Sequence, residues 1–415
     1  MKSVRIFQLK NKKLIGQIYQ GQLEAGRAFT QCVRFHREIR AQKGAWPNKK
    51  TLRDLIKGNY ALHSQTIQAI ADTFWDNVLT TTKLRKSNKK IRYPYKEKRF
   101  YPLMWPEQAV CQEKNRLILP MGRGRKSLVI PLPTSETLGA CKLVWNDGYE
   151  LHAVVDKETP NYVGKDANHA TVDLGEIHLA AVTTNTGKAL VVSGRAIRSL
   201  KRLKTKKLGL IARKRSRCKK GSRRYKKIVH ARQKITKRIE HRIRDLRHKG
   251  TRKVIDFCKT EKVSQIFVGH PKGIRKKDSG RRHNQRLGLW EFYKDIQYIK
   301  EKSKFENMVC FTGSERGTSS QCPSCNHKKK ARGRLWKCKQ CKFMGHRDVV
   351  GATNMHPLAF GEKVMFPHSI TYLHPGKIRR SSSPDTGQSC LGMIGDSTHR
   401  YRGRRKPQAM LPIAA

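Results

Sequence analysis

Two short cysteine pairs carry the clearest chemical signal in this chain. Cys322-Pro-Ser-Cys325 and Cys338-Lys-Gln-Cys341 are separated by twelve residues. Each pair offers two sulfurs on one tight turn, and a hairpin between them brings the second turn back to the first. That spacing is what a tetrahedral thiolate Zn2+ site needs. Four thiolates leave no open coordination position, so such a zinc is structural. Seven residues after the last cysteine stands Asp348, at the start of a helical pattern. A second carboxylate, Asp173, closes an apolar run beside Leu174-Gly175. Ionised carboxylates in such places are expensive unless paired or bound to a cation. Two of them converging from distant segments suit Mg2+, which binds through few carboxylates and orients a water toward a phosphodiester. For Asp173 taken alone, a turn-capping role competes with this reading.

The elements that must position these groups lie in a very basic chain. It has 415 residues, 91 Lys and Arg against 30 Asp and Glu, and a formal net charge of +61. A charge of that size repels itself unless a polyanion neutralises it, and nucleic acid is the obvious one. A ribosomal or chromatin-like packing protein is the bland alternative. The hydrophobic fraction of 37% allows real cores. No segment approaches the roughly 18 consecutive apolar residues of a membrane span, and the N-terminus lacks a signal-peptide core. Eleven cysteines, of which seven are scattered without pairing rhythm, suit a reducing cytoplasm.

Residues 1–13 open with a strand-like alternation, Val4 to Leu9. From Ile15 to about Leu84 the apolar residues recur at helical spacing, and from Ile91 to Val163 the pattern returns to strands. A strand, a helical insertion and more strands predict an interrupted β-barrel. Ala170–Ser193 reads as a three-stranded meander. Residues 197–253 read as a helix pair carrying 26 Lys and Arg against Glu240 and Asp245. A solvated face would intersperse acidic residues, so this surface is expected to face phosphates. Ser264–Gly269 is a buried-type strand, Arg275–Leu287 a basic loop, Trp290–Lys304 a helix and Met308–Thr312 a strand. After His356 the composition loosens into a basic tail expected to be partly disordered.

In this order the motifs resemble those of the transposon-encoded TnpB proteins and the related Cas12 effectors, which carry a RuvC-type, RNase H-like nuclease domain. Val172-Asp173-Leu174-Gly175 resembles the first RuvC motif, with Asp173 its aspartate. Gly317–Cys322 resembles the entry to that family's zinc ribbon, with Gly for Tyr. His346–Asn354 resembles the third motif, matching at Asp348 and Asn354 and departing at His346 and Val350. The second motif departs most. After Ile266-Phe267-Val268 the family places a glutamate, and this chain has Gly269-His270-Pro271. Either the site is dead or another glutamate has taken over. Glu315 is the favoured substitute, because it follows the next strand and precedes the ribbon. Glu291 and Glu176 are alternatives, and His270 reads as a surface residue.

The resemblance implies an α+β multidomain protein. Its parts would be a β-barrel wedge domain (1–14 and 91–165) interrupted by a helical recognition domain (15–90), then an RNase H-like RuvC domain (166–316 and 346–356). A zinc ribbon (317–345) and the tail (357–415) complete it. It also implies an RNA-guided DNA endonuclease with Asp173, Glu315 and Asp348 on Mg2+, and Cys322, Cys325, Cys338 and Cys341 on Zn2+. The implied partners are a guide RNA, double-stranded target DNA and its displaced strand. A monomer in the bacterial cytoplasm or nucleoid is expected, with no membrane. Trp75, Tyr93, Tyr95, Tyr101 and Trp105, interleaved with Lys and Arg, are candidate stacking platforms. A nuclease-dead RNA-guided DNA-binding protein of the same fold is the competing function. A transposase joining strands by itself fits poorly, for want of a further acidic motif or recombination nucleophile.

Overall fold

A computed structural model describes residues 2–376, apart from 133, 135, 147, 157–167, 272, 274–277, 279 and 330–332. The first unit starts with β1 (Lys2–Leu9), followed by helices α1 (Lys12–Ala41), α2 (Lys49–Ile56) and α3 (Ser64–Ser87). Asn11 and Asn48 cap the first two helices by accepting from the backbone N–H of Lys13 and Thr51. On α3, Ile67, Ile70, Ala71, Phe74 and Val78 fall on one buried stripe at helical spacing. Short strands follow: β2 (Leu103–Trp105), β3 (Cys111–Glu113), β4 (Arg116–Leu119) and β5 (Leu128–Pro131). The longer β6 (Leu138–Trp145) and β7 (Tyr149–Asp156) form a hairpin. β1 pairs antiparallel with β7, from Lys2 opposite Asp156 to Leu9 opposite Tyr149, and so closes over the intervening helices.

The expected barrel is not closed. The described strands form two open sheets, β1-β7-β6-β2 and β3-β4-β5. β2, three residues long, ends the first sheet, and β3 to β5 pair only among themselves. A shared core of helix and sheet residues, including Phe29, Phe74, Trp105, Leu143 and Leu151, holds the unit together. Trp105 is buried there with its indole N–H donated to Pro120 O. It is therefore a core residue and not a base platform. Tyr93 and Tyr95 are half-buried and stack on each other at 5.6 Å, with Arg40 over the Tyr93 ring.

The second unit is built on the meander β8 (His169–Leu174), β9 (His178–Thr184) and β10 (Lys188–Ser193). Next come α4 (Arg195–Ser216), α5 (Arg223–Thr260), β11 (Gln265–His270), α6 (Arg281–Leu289), α7 (Phe292–Phe305) and β12 (Val309–Ser314). A hairpin of β13 (Leu335–Lys337) and β14 (Met344–His346) leads into α8 (Arg347–Thr353), α9 (His356–Phe360) and β15 (Ser369–Leu373). The six-stranded sheet has the order β12-β11-β8-β9-β10-β15. β8, β9 and β10 are antiparallel neighbours, whereas β11 runs parallel to both β8 and β12.

Strand alternation divides this sheet into two faces. Ala170, Val172, Leu190, Val192, Ile266 and Val268 pack with residues of α5 and α7 such as Ile255 and Ile296. Ala181, Ala189 and Val191 face Val349 of α8 on the other side. Among the Lys and Arg of α4 and α5, only Arg247 is buried, so the helix pair leaves the sheet with its cationic faces open to solvent.

Two sequence expectations change here. Part of the segment expected as a basic loop, 275–287, is helical in α6, while 275–277 and 279 lie outside the described residues. The expected tail is ordered as far as 376. α9 continues the chain, and β15 pairs parallel with β10, Lys188 opposite Ser369 through Val192 opposite Leu373. The five residues Ser369–Leu373, within the stretch from Pro367 to Pro375, are too short a pattern to read as a strand without its partner. The tail beyond 376 and the strand pattern from 157 to 163 fall outside the described residues.

Candidate metal centres

Asp173 lies near the end of β8 on the face covered by α8. The close approach of that helix depends on Gly351, where a Cβ would stand 2.8 Å from Asp173 Oδ2. Beside Asp173 the parallel register sets Val172 opposite Val268, so Gly269 is its neighbour on β11. Glu315 follows β12 directly, and its carboxylate reaches back over this glycine. A Cβ at Gly269 would stand 2.4 Å from Glu315 Oε2. The carboxylate thus occupies the space that a side chain at Gly269 would need.

The electrostatics fit three acids forced together. Burial raises the Asp173 carboxyl well above the ordinary range, and the charges of Glu315 and Asp348 raise it further. Burial also pushes Glu315 up to about 7. Glu315 Oε2 is buried with no hydrogen-bond partner. Asp348 differs. Burial alone would raise it, but the hydrogen bond from His178 and the charges of Arg334 and His346 hold it below the ordinary range. His178 Nδ1 is 2.7 Å from Asp348 Oδ2. Arg334 Nη1 donates to both carboxylate oxygens, at 3.3 and 3.0 Å. Asp173 thus feels the charges of Glu315 and Asp348, a repulsion that a hard divalent cation relieves, while among the described residues the donor atoms gathered within 4.8 Å of one another around Asp348 are those of His178 and His346.

The two other glutamates are engaged elsewhere. Glu176 pairs with Arg198 at 2.8 Å and Arg286 at 3.7 Å. Glu291 is pulled down to about 2 despite its burial by Lys294, Lys201 and Arg247. Sequence reasoning missed His178 and Arg334, and it discounted His346. The signal was present in part, since His178 lies on the strand hydrogen-bonded to β8. A register shift between Val192 and Ser193 accompanies the pairing of Ser193 with His178, the kind of irregularity that re-aims a side chain.

The four ribbon cysteines converge. Cys322 and Cys341 have Sγ atoms 3.5 Å apart, as do Cys325 and Cys338. Sulfurs at about 2.3 Å from one tetrahedral Zn2+ stand on the order of 3.8 Å apart, so the cage fits that ion. Trp336 and Val350 pack beside Cys322 and Cys338 and join the ribbon to α8. Asn354 fastens the same junction by donating to Thr318 O and Gln321 O, both at 2.7 Å.

A separate cleft of about 990 Å3 lies between the tip of the β6–β7 hairpin, α4, α5 and the α6–α7 junction. Lys201, Lys204, Arg232, Lys237 and Arg244 line it against Glu240 and Glu291, and Trp145 stands at its wall with its ring largely exposed. None of the three pocket carboxylates borders it.

Two family models match parts of the chain. Residues 152–275 match the OrfB_IS605 family, described as a probable transposase. Residues 292–355 match the Cas12f1-like TNB domain. No curated protein matches. Among solved structures, the fold is similar to a Cas12f1–sgRNA–target DNA complex, at 13% identity and a TM-score of 0.60 over 84% of this chain and 83% of that one. The mini-RNA-guided endonuclease CRISPR-Cas_phi3 aligns over 88% of this chain and 94% of its own, at 10% identity and a TM-score of 0.49. The chain is a mixed α/β protein with the fold seen in Cas12f1. With the four-cysteine cluster, the two partial family matches make it similar to TnpB/Cas12-like proteins. Among the described residues no helix is long and apolar enough to cross a membrane.

Proposed function

We propose that this protein is an RNA-guided DNA endonuclease that hydrolyses phosphodiesters in a RuvC-type, Mg2+-dependent pocket. One observation carries the reading: the Glu315 carboxylate stands over Gly269, where it would take the part of the glutamate missing from β11. A sheet of three antiparallel strands continued by parallel ones supports the RNase H-like assignment. Asp173, Glu315 and Asp348 would hold the ion. When bound, it would supply charge to the phosphoryl oxygens and a water of lowered pKa. The chain's own part is to crowd three carboxylates that cannot all ionise without a cation. Gly269 and Gly351 leave space for two of them, and α8 covers the pocket from one side. The four cysteines would hold structural Zn2+ and keep the ribbon docked.

The partners of the Cas12f1 complex suggest those of this chain, a guide RNA and a target DNA. The open cationic faces of α4 and α5 and the cleft beside Trp145 suit phosphate backbones. On this reading residues 1–14 and 91–165 act as the wedge, 15–90 as the recognition helices, and 166–316 with 346–356 as the nuclease. The protein would work as a monomer in the bacterial cytoplasm or nucleoid. The absent glutamate at Gly269 favours a second reading, a guided binder without cleavage.

The test is Mg2+-dependent cleavage of a matched duplex by the protein purified with its co-expressed RNA. Wild-type cleavage that Asp173→Ala abolishes supports the nuclease and eliminates the pure binder. Glu315→Ala is expected to lose cleavage, and Gly269→Glu in that background to restore part of it. Unimpaired cleavage by Glu315→Ala would remove Glu315 from the site.

A further inference from the structure

Asp348 belongs to a second group of ligand atoms besides the three carboxylates. One donor atom each from His178, His346 and Asp348 lies within 4.8 Å of the other two. His178 Nδ1 already touches Asp348 Oδ2 at 2.7 Å. The two imidazoles meet edge to face with ring centroids 4.9 Å apart. His346 Nδ1 is buried and has no hydrogen-bond partner. Buried polar atoms are nearly always partnered, so an orphaned imidazole nitrogen beside a carboxylate points to a missing ligand. Two imidazoles and one carboxylate, from β9, β14 and α8, are not what Mg2+ selects. Imidazole donors favour first-row transition divalents, and two-His, one-carboxylate sets with open positions are characteristic of them.

We propose that His178, His346 and Asp348 form a binding site for a first-row transition divalent cation, distinct in its donors from the carboxylate set and joined to it through Asp348. The proposal rests on the reading of Asp348 as a metal ligand. Arg334 is its competitor. Its guanidinium donates to both Asp348 oxygens from the ribbon side, and its side chain is 46% exposed, which leaves it free to swing away as a cation enters. The ribbon thereby holds the shared carboxylate neutralised in the metal-free state. Arrival of the cation exchanges one positive partner for another.

The experiment uses full-length protein with its ribbon loaded with Zn2+, titrated with Co2+ and followed by the weak ligand-field absorption of nitrogen and oxygen donors. Thiolate-bound Co2+ absorbs far more strongly, so invasion of the ribbon is visible separately. One Co2+ is expected to bind, and His178→Ala and His346→Ala are each expected to weaken it about tenfold or more. His178→Gln and His346→Gln serve if an alanine variant fails to fold, with the melting curve and retained zinc as controls. Arg334→Ala is expected to tighten Co2+ several-fold. Co2+ affinity unchanged in folded variants of both histidines would overturn the proposal and leave His178 an orienter of Asp348. The nuclease reading fails separately. Histidine-dependent Co2+ uptake by a wild-type protein that never cleaves would sink only the nuclease. Mg2+-dependent cleavage without histidine-dependent uptake would sink only this site.

Discussion

Two carboxylate sites of the molecule are treated in opposite ways. Glu150, on β7, is 4% exposed at its side chain. It accepts from Gln8 at 2.8 Å and from Asn146 at 3.2 and 3.3 Å, with Lys237 of α5 at 3.1 Å and His152 at 3.3 Å. Burial would raise its carboxyl, yet these partners hold it down to about 2. Asp173 and Glu315, at the six-stranded sheet, are both raised by burial, Asp173 further by the charges of Glu315 and Asp348, and Glu315 keeps an oxygen without a partner. A carboxylate that serves the fold is surrounded by donors, because each missing one costs about 1–3 kcal/mol. Asp295 of α7 shows a third arrangement: fully buried, with neither oxygen hydrogen-bonded and its carboxyl raised to about 7, it faces the Arg247 guanidinium at 3.3 Å.

The contrast can be broken most sharply at Asp173. Asp173→Ala is expected to lower Mg2+-dependent cleavage by about a thousandfold or more, while the metal-free protein melts no earlier than wild type. A marked fall in its melting temperature would mean that Asp173 is a structural acid like Glu150. Moving the acid instead of deleting it gives a smaller effect. In Gly269→Ala the new Cβ displaces the flexible end of Glu315, so cleavage should fall by about a hundredfold at most, with near-normal melting in chemical or thermal denaturation.

The next comparison is in pH. Glu150 has a folded value near 2 against an ordinary 4.5. Its stabilisation is therefore full above 4.5 and is lost as pH falls from 4.5 through 2, in total about 3 kcal/mol. Glu150→Gln should flatten that acid limb of a denaturation series. Glu315, with a folded value near 7, has the reverse sign in chelator-treated protein. Stability should decline as pH rises from 4.5 through 7, and Glu315→Gln should remove the decline. Parallel slopes for the two glutamates would end the comparison. The smallest effect is expected from stripping zinc, which should expose 317–345 to protease while the thermal transition of the N-terminal unit stays within about a degree.

The zinc cage was fully legible because its spacing is local: two knuckles and a hairpin need no distant partner. Asp173 and Asp348 were legible for a related reason, each standing at a recognisable element end. Glu315 was reached from the gap at Gly269 together with the strand that precedes it. His178 was not reached, since its role depends on a register irregularity between two strands and on a helix 170 residues away. Arg334 was missed likewise, because only the folded ribbon carries it to Asp348. The barrel failed as an expectation because alternation specifies strands and not whether a sheet closes. Trp105 shows the same limit for aromatics, where interleaved charge did not predict a fully buried ring.

The parallel pairing of β15 with β10 has a consequence for the order in which the protein is made. β10 is synthesised with the rest of the meander, but its outer edge has no partner until residues 369–373 leave the ribosome. Between the synthesis of β10 and that of β15 the sheet therefore presents an unpaired, hydrophobic strand edge, the usual template for aggregation or for pairing with another chain. The basic helix pair is already out by then, and nucleic acid bound to it would keep neighbouring nascent chains apart. On this view a chain interrupted before 369 is a hazard more than a shorter protein, and the last strand acts as a seal.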